Sequence, residues 1–498
     1  MSGNGWTRGR GRDSWNTADS AWQGASWGRG QTKGSGGASK GKTSVEGYSG
    51  AGRRGKVGGN GGGKVGGKGG GKGGGKEGKG AGGPGGQKPT DDPEFVRLSE
   101  GALLQASDTD ANYSIEAYVA SGTFSRVFRV KRTITTSRDT DDGSAPRRRW
   151  AKDTSKSSPL PSSSDSLKSF LAAKVMRKND SYIQYTSDAR KEGELLRKIE
   201  KAQQQAGREV LTMKCWDSFA TRDDAGADYW CLILEWLDAS LFDLVRANGN
   251  RGLHLSMVRI ILSQLFEQLQ VLQDLDCTHT DIKHKNCCLA DTEYYMASVG
   301  PDGRPSLILT NPLAKFIDYG NAVFEGDKKT HPIHTKQFRA PEVLLNVSSG
   351  WGPPSDTWTL GVTGAFLVSG QLIFNSHDPG ALLRAMVEAL GPFPEGFLQT
   401  AQDGRMRRIV EDVSARAAVP QLDVWLGLAG AAKDSPEARC ADLLRQALAP
   451  DPADRISAAA ALAHPFFVAG EPAVPSRPSG AELRNLAVGM ASGGRMRQ

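Results

Sequence analysis

His279-Thr280-Asp281-Ile282-Lys283-His284-Lys285-Asn286 reads H-x-D-x-K-x-x-N, and this stretch decides how the rest of the chain is read. Asp318-Tyr319-Gly320 follows it, and then Ala340-Pro341-Glu342. Each of these residue types occurs at roughly 5% by average usage, so several at fixed spacing and in fixed order are a rare accident. The groups complement one another. A carboxylate can take a proton from a hydroxyl, an ammonium can face charged oxygens, and an amide and a second carboxylate suit a hard divalent cation. Such a set fits phosphoryl transfer, which asks for positioning and charge more than for covalent chemistry.

Working outward, composition divides the 498-residue chain. Residues 1–90 hold 34 of the 62 glycines and carry 16 Lys/Arg against 4 Asp/Glu. The formal net charge of +8 therefore belongs to this segment, and the remainder is slightly acidic. It has too few large apolar residues to bury a core, so residues 1–107 are expected to be a disordered Gly/Arg/Lys-rich tail. Trp6, Trp15, Trp22 and Trp27 alternate with Arg-Gly steps there, a composition that can stack on bases and neutralise phosphates. RNA contact through residues 1–90 is one expectation, a solvated linker the other. Arg53-Arg54-Gly55-Lys56 suits a short nuclear import signal. Six cysteines without a C-x-x-C pair read as reduced thiols. No apolar leader opens the chain and no run of about 20 apolar residues spans a bilayer, so an intracellular protein with no membrane contact is expected.

The folded domain is placed at 108–468. Tyr113 to Val119 alternates as a strand, a glycine turn follows, and Val127-Phe128-Arg129-Val130 completes a hairpin. Residues 133–167 lack periodicity and are read as a flexible insertion. Phe170–Met176 and Trp230–Leu234 are strands, and Tyr182 to Lys201 is helical. Residues 235–238 form a hinge. Beyond it the pattern is helical: a stripe of Met257, Ile260, Ile261, Phe266, Leu269 and Leu272, a long helix from Ser355 to Gly370, and further helices over 381–390 and 436–448. Residues 469–498, rich in Pro, Gly and Ser, are expected to be a disordered tail. The expected fold class is α+β and bilobal: a small β-rich N-lobe ahead of a larger α-helical C-lobe.

These motifs resemble the eukaryotic protein kinases: catalytic loop, metal-binding segment and activation-segment end. Within them the chain is most similar to the LAMMER (Cdc-like) dual-specificity group. His279-Thr280-Asp281 carries that group's threonine, and Leu309-Thr310-Asn311-Pro312 precedes Asp318 after a long insertion between 290 and 308. Ile333-His334-Thr335-Lys336-Gln337-Phe338-Arg339-Ala340-Pro341-Glu342 resembles V-S-T-R-H-Y-R-A-P-E. Leu383, Met386, Leu390, Gly391, Pro392 and Pro394 match the signature helix and its continuation. The turn Gly122 to Ser125 also resembles that of pre-mRNA-processing kinases, so both comparisons point toward splicing.

The resemblance implies ATP and magnesium as cofactors and Arg/Ser-rich proteins as substrates, in a monomeric nuclear kinase. Asp281 would be the catalytic base and Lys283 the neutralising cation; Asn286 and Asp318 would be metal ligands. The nucleotide would contact Ala120, Gly122, Ser125, Val127, Ala172, Lys174, Glu192, Glu235, Leu237 and Cys288. An ammonium on the apolar Lys174 strand needs a partner; Glu192 is the expected carboxylate and Glu194 its rival. Ala120-Ser121-Gly122-Thr123-Phe124-Ser125-Arg126-Val127 keeps only the middle glycine of G-x-G-x-x-G-x-V. Lys283-His284-Lys285-Asn286 departs from the usual Lys-Pro-Glu-Asn, and Cys288 stands where an aliphatic residue would underlie adenine. Glu342 and Arg455 are expected to form a buried ion pair, and Asp356 to hold the catalytic-loop backbone. Thr280 cannot clamp a phosphorylated activation segment as an arginine would, which implies activity without that modification. A pseudokinase scaffold and an RNA-associated adaptor are the alternatives.

Overall fold

The computed structural model describes residues 98–106, 111–122, 125–134, 170–176, 182–205, 207, 211–222, 226, 228–298, 305–327, 332–416, 419–470 and 474–476. Strands β1 (Leu103–Gln105), β2 (Ala111–Ser121), β3 (Ser125–Ile134) and β4 (Phe170–Met176) come first. Helix α1 (Tyr182–Gln205), β5 (Cys215–Arg222) and β6 (Asp228–Glu235) follow. The strands form one antiparallel sheet in the order β1-β2-β3-β4-β6-β5. Its apolar side is made by alternate residues, Tyr113, Ile115, Phe128, Val130, Ala173, Val175, Cys231 and Ile233, all buried in one cluster. On β4 the other set, Ala172 and Lys174, stays half-buried.

Three boundaries differ from the sequence reading. Strand β1 lies ahead of residue 108, inside the span read as tail, because Leu104 is a core residue with no exposure. Strand β3 continues to Ile134, since Thr133 and Ile134 still pair with β2; positions 135–167 of the proposed insertion lie outside the described residues. At the far end, the Tyr295 hydroxyl donates to the Pro475 carbonyl, which ties down a point within the span read as a free C-terminal tail. The proposed RNA-binding segment 1–90 also lies outside the described residues.

Past the hinge come β7 (Ala239–Ser240), α2 (Leu241–Ala247), α3 (Leu255–Asp274), β8 (Cys277–Thr278) and β9 (Cys287–Leu289). A hairpin of β10 (Tyr294–Ser298) and β11 (Pro305–Leu309) fills the insertion before β12 (Ala314–Phe316) and β13 (Val323–Phe324). Helices α4 (Pro341–Leu345), α5 (Pro353–Ser369), α6 (Pro379–Leu390), α7 (Glu395–Gln399), α8 (Gly404–Ser414), α9 (Leu422–Trp425), α10 (Pro436–Ala447), α11 (Ala458–Leu462) and α12 (Pro465–Val468) complete the large lobe. Helix α5 is buried almost all round, as expected of a helix at the centre of a lobe. A Cβ at Gly364 would lie 2.8 Å from Leu444 Cδ2, so glycine there lets the Leu444 side chain of α10 pack directly onto α5. Helix α2 starts on a capping box in which Ser240 and Asp243 satisfy each other's backbone amides. No helix among the described residues is long and apolar enough to cross a membrane.

Candidate active site

Strand β4 delivers Lys174 opposite Val127 of β3 and Leu232 of β6. Its ammonium donates to Glu192 Oε1 at 3.0 Å, Glu192 Oε2 at 2.8 Å and Asp318 Oδ1 at 2.8 Å. This resolves the choice of lysine partner. Glu192 shares a buried helix face with Leu195, Leu196 and Ile199, whereas Glu194 points to solvent. Burial alone would lower the Lys174 pKa, but Asp318 and Glu192 outweigh it and raise it above the usual lysine value. Asp318 is held below its usual value chiefly by the charge of Lys174. Burial, helped by the neighbouring Asp318, raises Glu192 despite the lysine.

The catalytic-loop residues converge separately. Asp281 Oδ2 accepts from Lys283 Nζ at 2.9 Å and from Asn286 Nδ2 at 3.0 Å. Its Oδ1 accepts from the Thr335 hydroxyl at 2.8 Å and the Thr335 amide at 3.3 Å. Lys283 also donates to Thr335 Oγ1, at 2.8 Å. The sequence reading treated Thr335 only as part of a family motif; its position between base and cation makes it a member of the site. The Ile317 amide bonds to the Asn286 carbonyl at 2.9 Å, which sets Asn286 beside the strand leading into Asp318.

Three non-glycine residues around these groups occupy the left-handed region: Thr280 at φ 73°, Asp318 at φ 66° and His334 at φ 70°. For β-branched Thr280 this is a strained conformation that its surroundings must hold. Asp356 does so, as expected: its carboxylate accepts the backbone amides of His279 and of Thr280, the latter at 3.1 Å. The Thr280 hydroxyl donates to Asn321 O at 2.9 Å, and His334 N donates to Thr280 O at 3.0 Å. His284, in the usual proline position, is buried among Phe242, Phe338 and Phe366. Burial first, then the charges of Lys285 and Lys283, lower its pKa to about 3, so the ring is neutral.

Of the nucleotide residues read from sequence, Ala120, Gly122, Ser125 and Val127 lie on the β2–β3 turn over the lysine strand. Among the described residues, a Cβ at Gly122 would meet only Ser125 O, at 3.7 Å. Ala172 and Leu237 are half-buried. Cys288 lies between Ser240 of β7 and Lys315 of β12 in the small sheet below the hinge. It is 4% exposed, and burial pushes its thiol up to about 12. The Glu235 carboxylate is held by Lys315, at 2.9 and 2.8 Å, and the Glu235 amide donates to Lys214 O at 2.9 Å.

The donor set fits a divalent cation held jointly with phosphates. Asp318 is 45% exposed and keeps Oδ2 outside the lysine bond. Asn286 turns its NH2 toward Asp281, which leaves its amide oxygen as an acceptor. Among the described residues no group of three or more His, Cys, Asp or Glu is arranged to hold a metal. Two protein oxygens completed by phosphate and water is the usual magnesium arrangement in such sites.

Comparison with known proteins agrees with this geometry. The Protein kinase domain family matches residues 163–467. The Arabidopsis thaliana serine/threonine-protein kinase AFC3 is 30% identical over 319 residues, 60% of this chain and 76% of the relative. The Homo sapiens dual specificity protein kinase CLK1 is 30% identical over 245 residues, 48% of this chain and 50% of the relative. The crystal structure of the PF14_0431 kinase domain superposes with a TM-score of 0.56 at 24% identity, covering 76% of this chain and all of that one; it supports the fold alone. A lysine–glutamate–aspartate triad, a braced aspartate on the catalytic loop and a family match across both lobes lead to one conclusion: the chain belongs to the protein kinase family, with the LAMMER (Cdc-like) kinases as its relatives.

Proposed function

We propose that the chain transfers the γ-phosphoryl group of ATP to serine and threonine hydroxyls of Arg/Ser-rich nuclear proteins in pre-mRNA splicing, with tyrosine as a secondary acceptor. The reading rests above all on Lys174, which joins Glu192 of the small lobe to Asp318 of the large one within 3.0 Å. Lys174 would exchange part of this pairing for phosphate oxygens. Asp281 would orient the acceptor hydroxyl and receive its proton as the new P–O bond forms and the bond to the departing ADP oxygen breaks. Lys283, tied to both Asp281 and Thr335, would face the moving phosphoryl group. Asn286 and Asp318 would hold magnesium, whose charge offsets that of the phosphates.

Support for the acceptor class comes from relatives named serine/threonine and dual-specificity kinases. The motifs shared with the LAMMER group support Arg/Ser-rich substrates. The basic segment at Arg53-Arg54-Gly55-Lys56 supports a nuclear location, and the Trp/Arg-Gly tail supports RNA contact. A monomer is sufficient, because every group named in the site comes from one chain.

Radiolabel transfer from ATP to an Arg-Ser peptide and to a generic basic peptide tests both levels. Asp318→Ala and Lys174→Met should each lower transfer by about 10²–10³-fold or more, as expected when a group that stabilises charge is removed. Full activity in either variant would remove the kinase reading and restore the scaffold alternative. An equal rate on the two peptides would remove the substrate class and leave the chemistry.

A further inference from the structure

Lys315 takes no part in the chemistry above, yet its surroundings are as specific as those of Lys174. It sits on β12, three residues before Asp318, with its side chain 7% exposed. An ammonium carries three N–H donors, and all three are engaged. Two go to Glu235 Oε1 and Oε2, at 2.9 and 2.8 Å, and one goes to Thr212 O at 3.4 Å. The same carboxylate accepts from Lys214 N at 3.3 Å, while Glu235 N donates to Lys214 O at 2.9 Å. Thr212 continues the path: its hydroxyl donates to Gln203 Oε1 at 2.8 Å, on the helix that carries Glu192.

The strand that presents Lys315 is itself fixed on both edges. One edge pairs with β9. The other is closed by two glutamines of α3 acting as surrogate backbone. Gln264 accepts from Ala314 N at 2.8 Å, and Gln268 both donates to Ala314 O at 2.8 Å and accepts from Phe316 N at 3.0 Å. A rigid point of the large lobe therefore grips the first hinge residue of the small lobe. The route continues to α1 on one side and to Asp318 on the other.

We propose that Lys315 is a positioning residue for the nucleotide. By holding the Glu235 carboxylate, it sets the hinge main chain in register with Asp318 and Lys174 at the opposite end of the cleft. The proposal rests on the kinase reading, because it takes the hinge main chain as the contact for the base. Removing the ammonium leaves a partly buried carboxylate without its counter-charge, so the hinge must rearrange around it. The cost falls on nucleotide binding more than on the chemical step, since no group of the Asp281 network is touched.

The test is steady-state phosphoryl transfer by the full-length chain with ATP varied at a saturating peptide concentration. Lys315→Met should raise KM for ATP about tenfold and leave kcat within about twofold, the pattern of lost uniform binding. Glu235→Gln should act alike, and the double variant should be about as impaired as either single one, because paired groups are non-additive. Lys315→Arg, which can grip a carboxylate bidentately, should restore most of the affinity. An unchanged KM in folded Lys315→Met, a fall in kcat alone, or additive effects of the two single variants would overturn the proposal. Should Lys315→Met not fold, Glu235→Gln and Lys315→Arg decide the matter by the same comparison of KM with kcat. Lys174→Met and Asp318→Ala run in parallel separate the two levels. If these retain transfer, the kinase reading fails; if they lose it while KM of Lys315→Met stays unchanged, only the role of Lys315 fails.

Discussion

Thr335 is the residue whose chemistry most extends the sequence reading. Its hydroxyl touches Asp281 and Lys283, both at 2.8 Å, so it ties base and cation, themselves 2.9 Å apart, into one fixed triangle. Replacing it with valine keeps the shape and deletes both bonds. Thr335→Val should lower kcat by about 10²-fold with little change in KM for ATP, whereas Thr335→Ser should keep most activity. A phosphate on Thr335 would set a dianion against Asp281 and inhibit. Thr280 points the same way: instead of an arginine awaiting a phosphate, its hydroxyl already binds Asn321 O at 2.9 Å. Phosphatase treatment should therefore leave activity within about twofold, because Thr280 makes its contact without a phosphate; near-total loss of activity on dephosphorylation would refute this. The motif spacing made Asp281, Lys283, Asn286 and Asp318 readable from sequence. It favoured Glu192 but left Glu194 as a rival, because both precede the same Leu195-Leu196 pair and only the packing of α1 determines which one faces β4.

At the scale of elements, strong periodicity carried over and broken periodicity did not. Strand β4 and helices α3, α6 and α10 fall within a few residues of their expected bounds, since their apolar positions repeat; α5 does so as a nearly continuous apolar run, buried almost all round. Strand β5 was not anticipated: a register shift between Cys215 and Asp217 breaks the alternation that identifies a strand. Hairpin β10–β11 escaped notice for a different reason, its half-exposed Tyr-Tyr-Met-Ala-Ser strand being no stronger a signal than a loop. Two devices tie elements together and are testable. Arg455 grips Glu342 at 2.9 and 3.0 Å, both side chains fully buried. Burial pushes the Glu342 carboxyl up, but Arg455 and Ser355 outweigh it and hold it below its usual value. Arg455→Met should destabilise the chain by about 3–5 kcal/mol in chemical denaturation, because it strands a buried carboxylate. His284 links the catalytic loop to α2 and α5 as a neutral ring with a pKa of about 3, against 6.5 when free. Between these values the unfolded chain binds more protons, so His284's contribution to stability is present above pH 6.5 and is lost as pH falls toward 3. The slope reaches about 1.4 kcal/mol per pH unit at most. Urea midpoints at several pH values should show a shallower acid-side loss for His284→Leu.

For the whole molecule, the catalytic and nucleotide residues named above lie between Ala120 and Thr335, with Asp356 bracing the loop, whereas the positive charge of the chain is concentrated before residue 90. Catalysis and any polyanion binding should then be separable. Removing residues 1–97 should leave peptide phosphorylation within about twofold, because the catalytic and nucleotide residues named above all lie at or beyond Ala120; retention on immobilised RNA should fall sharply if the tail binds RNA. A parallel loss of both would mean that the tail has a structural role in the kinase domain.

Cys288 bears on how the enzyme would respond to medicinal chemistry. Its thiol is buried and pushed up to about 12, and it lies in the small sheet beneath the hinge. Acrylamide or chloroacetamide warheads, which need a thiolate, should find no handle there. If Cys288 underlies the purine as the kinase resemblance implies, its side chain, smaller than leucine or isoleucine, should instead leave the floor there slightly deeper. Reversible ligands bearing one extra methyl or halogen on that face are the compounds expected to distinguish this kinase from its relatives.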